Sequence, residues 1–196
     1  MKRLGTAVIL CGGKSSRMGF DKSKLKLGNK LLLEIVAEKL EGLFEEVLLV
    51  AERKDKFVGL KYTVLEDLKK EYGPAGGIYT GLKHASSQYV FFLACDMPIV
   101  NIEYIESMME NLRHNDYDGV IPRRNNWVEP LHAFYSQSLI GDFEKGIMEN
   151  NLVLYDIIRN SNILYIPEEV TKEYDPNMEM FCNLNYVDDL KILEKI

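Results

Sequence analysis

What the 196-residue chain lacks narrows its function before any motif is read. No apolar run approaches the roughly 18 residues that a membrane span needs, so no membrane association is expected. The opening Met1-Lys2-Arg3 leads into strand-like residues and a glycine turn. It has neither the longer apolar stretch nor the small-residue cleavage site of a secretory leader, and a cytoplasmic protein is expected. The three cysteines, Cys11, Cys95 and Cys182, match neither a zinc spacing nor a CxxC redox pair. They are expected to be reduced thiols on small buried strand positions. Repeats, low-complexity segments and linkers are missing too, which predicts one domain over residues 1–196. A net charge of −6 argues against a general nucleic-acid binder. Two phosphate-binding loops are also excluded. Gly13-Lys14-Ser15 resembles the end of a P-loop, but Val8 stands where that motif needs glycine. The dinucleotide pattern G-x-G-x-x-G fails because Gly12 and Gly13 are adjacent.

What is present is concentrated near the start. Ala7-Val8-Ile9-Leu10 suits a buried strand, and it breaks at Gly12-Gly13. Lys14, Ser15, Ser16, Arg17, Gly19 and Lys22 follow. Glycines after a strand let the backbone approach a ligand, and successive N–H groups in such a turn form an anion-binding concavity. Arg17 and Lys22 add donors for phosphate oxygens. The stretch 10–22 therefore reads as a triphosphate cradle. Residues 1–30 hold eight Lys or Arg against Asp21 alone, although the whole chain is acidic. A basic pole on an acidic body suits capture of a small anion.

Helical and extended patterns alternate up to about residue 120. Helices are expected over 30–43, 76–85, 101–113, 138–149, 152–159 and 187–196. Strands are expected at 46–51, 62–65, 89–94, 119–122 and 131–135, with extended stretches at 163–166 and 181–184. This order predicts an α/β fold, a mostly parallel sheet with helices on both faces. The looser pattern after residue 120 allows an antiparallel strand and an inserted hairpin. In such sheets ligands sit at the carboxyl ends of strands.

Asp96 in Cys95-Asp96-Met97-Pro98 follows the 89–94 strand at that edge. Magnesium favours one or two carboxylates plus phosphate oxygens, so Asp96 is the expected metal ligand. Gly73-Pro74-Ala75-Gly76-Gly77 offers close backbone approach to a base or ribose. Asp67, closing the Thr63–Glu66 stretch, can accept hydrogen bonds from either. His132, Asn183 and Asn185 are weaker candidates for a second substrate; the histidine reads equally well as structural. Arg123, Arg124 and Trp127 are expected in a loop whose charge and aromatic face would suit an anionic planar ring.

Taken together, Leu10-Cys11-Gly12-Gly13-Lys14-Ser15-Ser16-Arg17-Met18-Gly19 with Asp21-Lys22 resembles the signature of the molybdenum cofactor guanylyltransferase family. Asp67, the 73–77 segment, Asp96-Met97-Pro98, Pro130-Leu131-His132-Ala133 and Asn183-Leu184-Asn185 extend the resemblance over nearly the whole chain. It implies a three-layer, Rossmann-like, mostly parallel mixed sheet of the nucleotide-diphospho-sugar transferase type. It implies GTP and Mg²⁺, guanylyl transfer to molybdenum-molybdopterin, and transient contacts with other cofactor-biosynthesis or acceptor proteins. By that resemblance Leu10, Cys11, Gly12, Gly13, Lys22, Asp67 and Asp96 contact GTP. Asp96 holds Mg²⁺, and Arg17, Lys22 and Asp96 carry catalysis. The Gly12-Gly13 doublet favours GTP over CTP. Ala75, where relatives usually have a larger apolar residue, and Ala51-Glu52, where an asparagine is common, bear on the base site. A CTP- or sugar-phosphate-dependent transferase of the same fold, or a nucleotide-binding adaptor without chemistry, shares many of these residues.

Overall fold

A computed structural model describes residues 4–12 and 25–184. Its centre is β1 (Leu4–Leu10), flanked by parallel partners β4 (Phe44–Ala51) and β6 (Tyr89–Ala94). A strand covered on both faces must be apolar on both, and Ala7, Val8 and Ile9 are fully buried. Ala7 and Ile9 face one cluster, with Val36 and Leu40 of α1 (Leu32–Glu41) and Tyr104 and Met108 of α3 (Ile102–Arg113). Val8 and Leu10 face the other. There Ile78 and Leu82 of α2 (Gly73–His84) meet Phe143 and Ile147 of α4 (Ile140–Met148). Helix, sheet, helix is the three-layer arrangement expected.

The remaining strands of the main sheet are β5 (Thr63–Glu66), β7 (Gly119–Arg124), β8 (Trp127–Val128), β9 (His132–Ser136) and β10 (Ile163–Ile166). Their order is β10-β7-β9-β6-β1-β4-β5, with β8 paired to β7. Antiparallel β9 sits between β6 and β7, and β7–β8 is the inserted hairpin. A separate two-stranded ribbon pairs β2 (Lys26–Leu27) with β3 (Lys30–Leu31) just before α1. Two short helices, α5 (Leu154–Ile158) and α6 (Glu168–Tyr174), flank β10. No helix among the described residues is long and apolar enough to cross a membrane.

Several expectations are corrected. α2 begins at Gly73, three residues early, because Pro74 is preorganised for a first helical turn. Two of its glycines, Gly77 and Gly81, also let it pack closely on the sheet. A Cβ on Gly77 would lie 3.0 Å from Leu10 Cδ2, and one on Gly81 would lie 2.6 Å from Phe92 Cε1. Residues 181–184 make no strand: Glu179–Phe181 is a 3-10 turn, and the chain docks through one bond from Leu184 N to Asp96 O (2.9 Å). Arg123 and Arg124 end β7 and Trp127 opens β8, with only Asn125 and Asn126 between them, so these residues form a hairpin tip and not a loop. Helix α6 was missed because four charged residues over 168–173 gave no apolar stripe. Of the thiols, Cys11 is buried, Cys95 half-buried and Cys182 exposed, so the expectation of three buried strand cysteines fails. The helix expected at 187–196 lies outside the described residues.

Candidate active site at the carboxyl edge

The chain runs from β1 to β4 on one side and later crosses to β6 on the other. That reversal leaves a crevice at the carboxyl ends of the strands, where open α/β sheets bind ligands. Backbone bonds hold the crevice together past the strand ends. Cys11 N donates to Val50 O (2.7 Å), Asp67 N to Ala51 O (2.8 Å) and Cys95 N to Leu10 O (3.1 Å). Ala94 N donates to Leu131 O (3.0 Å).

The result is a cavity of about 220 Å³. Leu10 and Gly12 line it from β1, Val50 to Glu52 from β4, Asp67 from β5, and Ala94 and Asp96 from β6. Gly73, Pro74 and Gly77 close it from α2, and Leu131 from the segment before β9. Among the described residues nothing lies within 4 Å of where a Cβ on Gly12 would stand.

Asp67 is held by two hydrogen bonds. Its Oδ1 accepts from Lys69 N (2.9 Å) and from Thr80 Oγ1 (2.9 Å). Burial pushes its carboxyl up, against those two bonds and the charge of Lys70. Gly76 is required beneath it: a Cβ there would run into Lys69 O and reach 3.2 Å from Asp67 Oδ2. Thr80 Oγ1 also accepts from Leu68 N (3.0 Å), and its one hydroxyl proton is shared between Asp67 Oδ1 and Gly76 O (2.9 Å each). This buttress was missed from sequence, although one threonine amid an otherwise apolar helical face was its signal.

Asp96 is half-buried at the cavity's opposite wall. Its carbonyl receives Leu184 N, which sets the exposed Asn183 beside it in the chain's path. Among the described residues no cluster of three His, Cys, Asp or Glu is present. Mg²⁺ takes one or two carboxylates with waters and phosphate oxygens as its other ligands, and the Asp96 carboxylate on the cavity wall is a donor of that kind.

Other expected residues fall elsewhere. The Cys11 side chain lies in the core, 3.6 Å from Ile9 O. His132 is fully buried between Phe91 and Phe181, each 5.2 Å away ring to ring, and does not reach the cavity. Burial lowers its imidazole to about 3, and among the described residues neither ring nitrogen has a hydrogen-bond partner. Ala75 is buried in the α2-side core and does not line the cavity, whereas Ala51 and Glu52 do. Glu129 is half-buried, its carboxyl raised by burial and eased by Arg124. Gly13, Arg17, Lys22 and Asn185 lie outside the described residues.

A family model for the MobA-like NTP transferase domain matches residues 7–162. The chain belongs to that family. A MobA-like relative from Peptoclostridium acidaminophilum, named a probable molybdenum cofactor guanylyltransferase, is 37% identical over 195 residues, 97% of this chain and 88% of its own. The molybdenum cofactor guanylyltransferase of Syntrophotalea carbinolica is 38% identical over 189 residues, 96% and 90% of the two chains. Among solved structures, molybdopterin-guanine dinucleotide biosynthesis protein A from Archaeoglobus fulgidus superposes with a TM-score of 0.85 at 27% identity, covering 97% of this chain and all of that one. Membership in the MobA-like family makes the chain a nucleotidyltransferase.

Proposed function

We propose that the chain transfers GMP from GTP to the terminal phosphate of molybdenum-molybdopterin, with Mg²⁺. One observation carries the reading: Gly12, Asp67 and Asp96, just past the ends of three different strands, line one cavity at the sheet's point of reversal. The names of relatives matched over nearly the whole chain support it.

An oxygen of the acceptor phosphate forms a bond to the α-phosphorus of GTP. The bond from that phosphorus to the bridging oxygen breaks, and pyrophosphate departs with the electron pair. Both partners are anions, so their repulsion is the main barrier, and positioning with charge neutralisation lowers it. The acceptor phosphate is already ionised at neutral pH and needs no protein base. Asp67 and the Val50–Glu52 backbone orient the nucleoside. Gly12 lets the phosphates approach the backbone, and Arg17 and Lys22 meet the charge that builds on pyrophosphate. Asp96 would hold the Mg²⁺, which when bound offsets the negative charge shared by the two phosphates.

The test is incubation with GTP, Mg²⁺ and molybdenum-molybdopterin, with mass analysis of the product. A guanine dinucleotide cofactor and one pyrophosphate per turnover are expected. Lys22→Ala and Asp96→Ala should each remove at least about two orders of magnitude of rate, with circular dichroism unchanged. Near-normal transfer by either variant overturns the assignment of that residue.

A further inference from the structure

A second hollow opens on the same edge of the sheet, between the β7–β8 hairpin and the start of α5. It measures about 460 Å³, and Arg123, Trp127, Pro130, Val153, Tyr155 and Tyr165 line it. Trp127, the chain's single tryptophan, is 78% exposed, Val153 58% and Tyr155 52%. Large apolar groups gathered around a concave surface mark a binding site more often than a solvated one.

Hydrogen bonds within the chain hold the walls in place. Asn125 N donates to Glu168 Oε2 (3.1 Å) and Arg123 Nε to Asn125 O (3.1 Å), fixing the hairpin tip. Glu168 is itself paired with Lys172 (2.6 Å). The carbonyl of Pro130 accepts from the buried Tyr135 hydroxyl (2.9 Å). Tyr165 feels both neighbours: burial raises its phenol, Tyr155 adds to the rise and Arg123 opposes it.

The hollow is placed to share a ligand with the nucleotide cavity. β7 and β10 point the same way as β1, so their carboxyl ends lie on the same edge. β7 is three strands from β1, about 14 Å at the usual spacing of about 4.8 Å. Pro130 lines the hollow and its neighbour Leu131 lines the nucleotide cavity, so one short segment is the wall between them.

We infer that this hollow seats the ring system of the acceptor: a planar, phosphate-bearing heterocycle whose phosphate reaches toward Asp96 while its rings lie among Trp127, Tyr155 and Tyr165. Aromatic faces stack on planar rings, and the planar Arg123 guanidinium can stack on them and donate to their polar edge. The inference rests on the guanylyl-transfer reading. Arg123 and the aromatic residues are positioning groups that touch only the acceptor.

Trp127 supplies the probe. Titration of the full chain with a stable pterin monophosphate should quench its fluorescence to saturation, and titration with GTP alone should not. In steady-state transfer assays, Arg123→Ala and Tyr155→Ala should each raise the KM for molybdenum-molybdopterin about ten-fold, with the KM for GTP within about two-fold of wild type. Both side chains are exposed, so thermal melts should be unchanged. If the wild type transfers GMP but the double variant keeps the acceptor KM, or the pterin leaves Trp127 emission unmoved, the hollow is not the acceptor seat. If the double variant instead converts a dimer to a monomer at unchanged KM, the face belongs to a second copy of the chain, and the inference is again overturned. If the wild type makes no dinucleotide at all, the guanylyl-transfer reading fails and the acceptor seat falls with it.

Discussion

Two buried titratable side chains carry opposite costs. Asp67 is held half-buried at the cavity wall, and its carboxyl is pushed up by loss of water. A folded-state pKa above the unfolded one means the folded protein holds its proton more tightly. Stability is then lost as pH rises through that titration. Asp67→Asn keeps an oxygen to accept from Lys69 N and Thr80 Oγ1, so the variant should melt no lower than wild type at pH 7. Any advantage should shrink on acidification, because wild-type Asp67 then becomes neutral as well. Nucleotide turnover should fall by about 100-fold, since the amide cannot replace a charged acceptor. A variant that melts well below wild type would show that the charge is compensated in the free protein. His132 carries the reverse sign. Its pKa falls to about 3 from an ordinary 6.5, so between those values the unfolded chain takes up a proton that the folded chain refuses. Stability should therefore drop by up to about 1.4 kcal/mol per pH unit as pH falls through that window, and be flat above it. His132→Leu removes two ring nitrogens without partners among the described residues and should flatten this acid limb in urea titrations at pH 4 to 7. An unchanged limb would place the acid sensitivity elsewhere.

At the scale of elements, the glycines of α2 and α4 separate packing from propensity. Replacing glycine by alanine in a helix interior should gain about 1 kcal/mol from chain entropy alone. Gly141 in α4 has open space around its absent Cβ, so Gly141→Ala should stabilise by about 0.5–1 kcal/mol. A Cβ on Gly81 in α2 would lie 2.6 Å from Phe92 Cε1 and 3.1 Å from Val8 Cγ1, both on fully buried side chains. Gly81→Ala must push α2 off β1 and β6, and should cost about 1–3 kcal/mol despite the better propensity. Urea midpoints for the pair check both signs. The same contacts explain what was legible in the sequence. Apolar runs gave β1, β4 and β6 because buried parallel strands must be apolar on both faces. The 73–77 glycines could be read as a ligand-contacting turn, since nothing local shows that Gly77 and Gly81 face Leu10, Val8 and Phe92. That fact belongs to the packing of distant strands, as does the fate of His132, whose box is drawn from β6, α3 and the 179–181 turn.

The whole molecule shows why the site was easier to read than its details. Topology alone sends Gly12, Asp67 and Asp96 to one edge, and each follows directly on a recognisable strand. The buttressing of Asp67 by Thr80, and the junction of two hollows at Pro130-Leu131, arise only when α2 and the hairpin fold back over that edge. Charge is likewise a property of the whole. The chain carries −6, yet eight of its Lys and Arg fall within the first 30 residues. The stretch they dominate leaves the described residues at Gly12, on the cavity wall. A multiply charged nucleotide should thus be drawn to one pole of an otherwise repelling body. Such steering is screened over about 10 Å at 0.1 M salt and over about 30 Å at 0.01 M. The kcat/KM for GTP should accordingly fall several-fold as salt rises over that range, while kcat at saturating GTP changes much less, because contacts in a dry site are screened weakly. Lys26→Glu, an exposed position on β2 beyond the cavity lining, should flatten the dependence and leave kcat in place. A kcat/KM that ignores salt in wild type would mean that the acidic body cancels the pole, and that GTP is captured by contact alone.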